Sequence, residues 1–200
     1  MRSPLKPTAA LLPLVLVVAC NKGPAQEAIK SADAAVQAAQ ADAAKFVPDK
    51  FKELEATAKA ARDKFDKGDY AGALADAKGI VAKAQEVAAA GAAKREEVTR
   101  SWDTISSSLP PALDQLKARL QLLAASRSLP KGLDGEKLAE AQKGFESVSQ
   151  IWSDAMAAAQ GGKLLEAVNK ASEIQGRVGE LLNSVGVDAP PSAISPKREY

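Results

Sequence analysis

No histidine occurs among the 200 residues, and there is a single cysteine, Cys20. The first absence removes the commonest general base and the commonest metal ligand together. The second leaves no partner for an intrachain disulfide. Aromatic side chains make up only 4 % of the chain, so a core cannot rest on large rings and must be built by close approach of elements around small side chains, chiefly Ala. Charge of one sign is also lacking: 27 basic residues face 25 acidic ones. Without a basic cluster, nucleic acid finds no electrostatic foothold. Long apolar runs are missing as well; the longest, Leu11 to Ala19, is about half the ~20 residues that a membrane-spanning helix needs.

That short run is nevertheless the most informative stretch. Arg2 and Lys6 precede it as a positive flank, Pro13 interrupts it, and Val17-Val18-Ala19 places small or branched residues before Cys20, the layout of a signal peptide. Val17-Val18-Ala19-Cys20 resembles the lipobox of bacterial lipoproteins, in which cleavage precedes the Cys and that Cys becomes the acylated N-terminus. The resemblance implies a signal peptide over residues 1–19 and an anchor with a short tether over 20–23. Several acyl chains, at about 0.8 kcal/mol per buried methylene, hold a protein on a bilayer where one chain does not. Asn21 is not the Asp that retains many such lipoproteins in the inner membrane, which favours the outer membrane, with the chain facing the periplasm. Cleavage would also remove Arg2 and Lys6, leaving basic and acidic residues in balance.

The remainder reads as helix throughout. Gly23-Pro24 opens a stripe of Ile29, Ala32, Val36, Ala39, Ala43 and Phe46 at steps of three and four. Val47-Pro48 ends it, and Phe51, Leu54, Ala58, Ala61 and Phe65 form the next. Along that second helix Glu55 leads Lys59, and Asp63 leads Lys67, by four positions, a spacing that favours ion pairing. Gly68-Asp69 marks a turn, with Asp69 as the following N-cap. A third helix is predicted from Tyr70 to Ser108, with a bend at Gly91, and Leu109-Pro110-Pro111 is expected to stop it. Leu113, Leu116, Leu120 and Leu123 define a fourth. After the loop from Ser126 to Leu133, Asp134 caps a fifth, with Leu133 and Leu138 as a hydrophobic staple. Its stripe is Leu138, Ala141, Phe145, Val148, Trp152, Ala155 and Ala159. Gly161-Gly162 leads to a sixth with Leu164, Val168, Ala171, Val178, Leu181 and Val185. The expectation is an all-α chain of about six antiparallel helices in an elongated bundle over 24–186, in halves 24–108 and 111–186. Residues 187–200, with Pro190, Pro191 and Pro196, read as a disordered tail.

A shift of 94 carries Gly68-Asp69-Tyr70, Ala73, Ala77 and Ile80 onto Gly162-Lys163-Leu164, Ala167, Ala171 and Ile174, and Phe51 onto Phe145. Duplication of a helical hairpin explains this, and so does convergence of two Ala-rich hairpins. Gly68-Asp69-Tyr70-Ala71-Gly72-Ala73-Leu74 resembles the hairpin turn of tetratricopeptide repeats, although the 34-residue period and the Trp-Leu-Gly signature are missing. Over residues 24–90, the Ala-rich first helix, Ala43-Ala44-Lys45-Phe46-Val47-Pro48, Phe51-Lys52-Glu53-Leu54 and Gly68-Asp69-Tyr70 together resemble an uncharacterised helical domain of bacterial envelope lipoproteins. That resemblance implies an address and a fold rather than a chemistry.

Catalytic strings fare poorly. Ser128-Leu129-Pro130-Lys131 matches S-x-x-K, but Pro130 and Gly132 oppose the helix that must present both side chains, and no K-T-G or S-D-N follows. Gly162-Lys163 lacks the earlier Gly of a phosphate loop. Glu96-Glu97 and Asp63-Asp66 lack calcium-loop spacing and read as solvated helix faces. The sequence thus points to a non-enzymatic envelope lipoprotein, a scaffold or adaptor for another envelope protein or for peptidoglycan, with no cofactor and no metal. Cys20 is the lipidation site, and Tyr70 and Trp102 are the candidate partner contacts. Two rivals stay open: a carrier or sensor holding a small apolar or glycan ligand between helices near Phe145 and Trp152, and a hydrolase working with carboxylates alone.

Overall fold

The computed structural model describes residues 21–187. They form five helices, α1 (Lys22–Phe46), α2 (Pro48–Asp66), α3 (Tyr70–Ala125), α4 (Gly135–Gln160) and α5 (Leu164–Ser184), and no strand occurs among them. The lipobox, Cys20 and the proline-rich tail beyond Val187 lie outside the described residues. Two compact units divide the chain, Met1–Lys94 and Arg95–Tyr200.

In the first unit, α1 and α2 lie antiparallel, and the first part of α3 completes one core. Ala32, Val36, Ala39 and Ala43 from α1 meet Phe51, Leu54, Ala58 and Ala61 from α2 and Ala77, Ile80, Ala84 and Val87 from α3. The predicted stripes of the first two helices account for the buried positions of α1 and α2. Because seven of these twelve are Ala, little apolar area is available per residue. Close backbone approach compensates for it. At Gly91 an added Cβ would lie 2.8 Å from Ala43 N and 3.0 Å from Ala43 Cα. α3 passes Gly91 as uninterrupted helix, and the glycine there lets it approach the backbone of α1 closely.

Three ion pairs cross between helices of this unit. Arg62 grips Asp33 of α1 with Nε and Nη2, Lys64 reaches Asp76 at 2.7 Å, and Lys83 meets Glu53. The α2–α3 turn is a Schellman motif: Asp69 N–H donates to Lys64 O and Gly68 N–H to Phe65 O, both at 2.9 Å. It requires a left-handed residue, and Gly68 supplies φ +84°. Asp69 then caps α3 by accepting from Gly72 N–H at 2.9 Å, as the sequence indicated.

The six expected helices become five because Pro110-Pro111 does not stop α3; both prolines lie inside it. The two prolines leave the carbonyls of Ser106 and Ser107 without their i+4 donors. Just ahead of them the hydroxyls of Ser106, Ser107 and Ser108 donate back to the carbonyls of Asp103, Thr104 and Ile105. The helix persists because its buried stripe runs straight through. Ile105, Leu109, Ala112, Leu113, Leu116, Leu120 and Leu123 all join the core of the second unit. Burying each Leu contributes about 1.5–3 kcal/mol, against roughly 3 kcal/mol for a proline in a helix interior.

The second unit packs this part of α3 with α4 and α5 around Val148, Ala155, Ala171, Ile174, Val178 and Leu182. Asp134 caps α4 by accepting from Lys137 N–H at 2.9 Å, and Leu133 and Leu138 both pack against the core. The α4–α5 turn repeats the Schellman geometry at Gly162, φ +74°. With the shift of 94, buried Leu54, Ala61, Ala73, Ala77, Ile80 and Ala84 correspond to buried Val148, Ala155, Ala167, Ala171, Ile174 and Val178. On α5 the buried positions include Ala167, Ile174 and Leu182, which the predicted stripe omitted, whereas Leu164, Val168 and Leu181 are only half-buried.

Candidate functional site

Tyr70 is the first residue of α3 and half-buried. The tight turn before it folds its ring edge-on against Phe65, with centroids 5.0 Å apart and planes at 65°. Lys22 Nζ, at the start of α1, stands 5.9 Å from the same ring centroid, within cation–π range. The first turn of α1 and the α2–α3 turn therefore share one end of the first unit.

Trp102 belongs to the second unit, so the two candidate partner contacts fall in different halves of the chain. Its ring stacks on Trp152 of α4, with centroids 5.8 Å apart and planes at 21°, and both pack against the core. Each indole thus has one face taken by the other, in line with a packing role. Phe145, two turns before Trp152 on α4, lines an open groove of about 430 Å³ with Lys117, Leu120, Gln121 and Gln142. The expected Phe145–Trp152 pair is therefore split between a groove wall and an aromatic stack.

A second concavity, about 360 Å³, runs between α4 and α5. Ala141, Gly144, Val148 and Leu181 form its floor, and Lys137, Glu140, Arg177 and Glu180 its rim. Gly144 brings the helices together, since a Cβ there would lie 2.7 Å from Leu181 Cδ2. Sequence reasoning missed this groove. Its only trace was a glycine set between Ala141 and Val148 on a helix otherwise free to carry a side chain there.

Two carboxyls of α2 are held in ion pairs. The Lys83 ammonium, by hydrogen bond and charge, holds the Glu53 carboxyl below its ordinary value, and the hydrogen bond from Lys59 does the same for Asp63. A general acid needs the opposite displacement. Asp63 pairs backward with Lys59 at 2.9 Å, and Glu96 accepts from Arg100. Ser128 and Lys131 lie in the loop between α3 and α4, outside any helix. Among the described residues no cluster of three His, Cys, Asp or Glu could hold a metal ion, and no helix is long and apolar enough to cross a membrane. No known protein family matches the chain, and neither the curated proteins nor the solved structures include a match to it.

Proposed function

We propose that this chain is a bacterial envelope lipoprotein, cut before Cys20, acylated there, and acting without catalysis as a tethered helical scaffold or adaptor for another envelope protein or the cell wall. The observation that carries it is the N-terminal pattern itself: a positive flank, a short apolar run, Val17-Val18-Ala19-Cys20, and a helix that begins at Lys22, only two residues beyond the Cys. The missing histidine supports a role without chemistry. A continuous buried core in each unit supports a structural one. In this reading the two hairpins descend from one unit, the chain faces the periplasm, and Asn21 directs it to the outer membrane. Tyr70 and Trp102 stay the partner contacts to test first. Mass spectrometry of the mature N-terminus and fractionation of Cys20→Ala decide the anchor. A protein that stays on membranes without its Cys, or whose terminus is uncleaved, refutes it; cross-linking in cells then identifies what the scaffold holds.

A second reading is favoured by the groove at Phe145: a carrier or sensor for a small apolar or glycan ligand. It predicts a rise in the melting temperature of the purified protein with such ligands, lost in Phe145→Ala. A scaffold shows neither effect.

A further inference from the structure

We infer that one end of the first unit, formed by Lys22, Phe65 and Tyr70 with the turn at Gly68, rests on the headgroup layer of the membrane that holds Cys20, so that α1 rises away from the bilayer. This rests on the lipoprotein reading. It adds an orientation and a contact surface that the reading alone does not contain.

The leash sets the first constraint. One residue, Asn21, separates Cys20 from Lys22, the first residue of α1. Consecutive Cα atoms are about 3.8 Å apart, so Lys22 Cα lies within about 8 Å of Cys20 Cα. The headgroup layer of one leaflet is itself roughly 5–8 Å thick, the difference between the full bilayer and its hydrocarbon core. A leash about as long as that layer is thick keeps Lys22, and with it this end of the unit, at the headgroups or at their outer edge.

The geometry of α1 and α2 decides which residues share that end. Lys22 Nζ lies 5.9 Å from the Tyr70 ring centroid, and Tyr70 meets Phe65 at 5.0 Å. The Asp33–Arg62 pair fixes α1 antiparallel to α2. The residues brought to the leash are therefore a half-buried Phe–Tyr pair beneath a lysine, and such side chains settle at a membrane interface, apolar body inward and polar tip in water. The flanks of the unit offer something different. They are laced with ion pairs, Glu27–Lys30, Lys59–Asp63, Asp33–Arg62 and Glu53–Lys83, which gain nothing by leaving water. Around the turn, Lys22 and Lys67 are balanced by Asp66 and Asp69, and Lys64 by its pair with Asp76. The contact is consequently aromatic in origin and does not depend on anionic lipid. At 1.5 Å per residue, Ala44 near the far end of α1 stands about 33 Å from Lys22 along the helix.

The mature chain offers no thiol besides the acylated Cys20, so single cysteines can be labelled selectively. Ala71 and Ala44 are both exposed. Acylated Ala71→Cys and Ala44→Cys proteins, each carrying a neutral fluorophore, are inserted into phosphatidylcholine vesicles containing a headgroup spin-labelled lipid. The expected result is quenching at position 71 at least threefold stronger than at 44, with the same ratio when phosphatidylglycerol is added. Equal quenching at both sites, stronger quenching at 44, or a ratio that appears only with phosphatidylglycerol overturns the inference. Mass spectrometry of the same samples separates the two levels. An acylated protein with equal quenching sinks the orientation alone, whereas an unacylated terminus sinks the lipoprotein reading and the orientation with it.

Discussion

Gly91 and Gly79 sit on the same helix, and their replacement by Ala should move stability in opposite directions. Each substitution brings the same intrinsic gain, about 1 kcal/mol for exchanging Gly for Ala in a helix interior. Around Gly79 a new methyl meets nothing within 4 Å, so Gly79→Ala keeps that gain. At Gly91 the methyl would sit 2.8 Å from Ala43 N and 3.0 Å from Ala43 Cα and Asp42 C. These are backbone atoms of α1, which cannot rotate away as a side-chain end would. The two helices must part by several tenths of an ångström, loosening Ala39, Ala43, Ala84 and Val87 together. Overpacking of this kind costs about 1–3 kcal/mol, and rigid backbone on both sides places it in the upper part of that range. The net for Gly91→Ala is a loss of roughly 1–2 kcal/mol once the helix gain is offset. For a unit of this size each kcal/mol shifts the melting temperature by about 4–8 °C. Far-UV circular dichroism should therefore show Gly79→Ala melting higher, and Gly91→Ala melting lower by about 5–15 °C. Both indoles belong to the second unit, so indole fluorescence provides an internal reference. If the two variants are stabilised alike, the close approach of α3 to α1 does not exist, and the account of the Ala-lined core fails with it.

Arg119 donates from Nε to Val185 O at 2.9 Å, closing the end of α5 from a neighbouring helix. Arg119→Ala should cost about 1.5–3 kcal/mol, the usual contribution of a hydrogen bond to a charged group, read by tryptophan fluorescence in urea; an unchanged midpoint would show the bond to be dispensable. Acid should weaken the first unit in a defined window. Glu53 and Asp63 have folded pKa values below their ordinary 4.5 and 3.8, so their contribution is complete above those values and is lost as pH falls through the lower folded ones. Melting temperature is thus expected to be flat from pH 7 to about 5 and to drop below about 4.5, less steeply in Glu53→Gln, and less again in 1 M salt because both groups are exposed. A decline already under way at pH 6 would contradict this assignment.

The helix class, both Asp caps, the Gly68 and Gly162 turns and most core positions were legible in the sequence, because spacing of three and four and the chemistry of caps are local signals. α5 shows the limit of that method. Its predicted stripe followed the bulkier residues Leu164, Val168 and Leu181, while burial selected Ala167, Ile174 and Leu182. The apolar arc of this helix is wide, so hydrophobicity alone does not set its phase. The shift of 94 did better: it carried Ala73 and Ile80 onto Ala167 and Ile174. The candidate site was less legible, since whether Trp102 finds Trp152 or a ligand depends on a neighbouring helix and not on its own. The roles of Gly91 and Gly144 were hidden for the same reason. A glycine in a helix signals weakness locally, and only the opposing helix shows it to be a point of approach.

Pro110-Pro111 is where local and tertiary signals conflict most directly. Judged by propensity, two adjacent prolines outweigh any neighbour, and a helix should end before them. Their position on the stripe matters more. Leu109 lies before them and Ala112, Leu113 and Leu116 after, all buried in one core, and ending the helix would turn the following leucines out of phase with that core. Pro111 itself is exposed, so its ring displaces nothing. The prolines thus remain as a local weakness in a helix held by what lies on either side. The same logic explains how a chain so rich in Ala folds at all. Each residue contributes little, and the helices are fixed by the few places where a Leu, an Ile or a bare glycine backbone sets the distance between them.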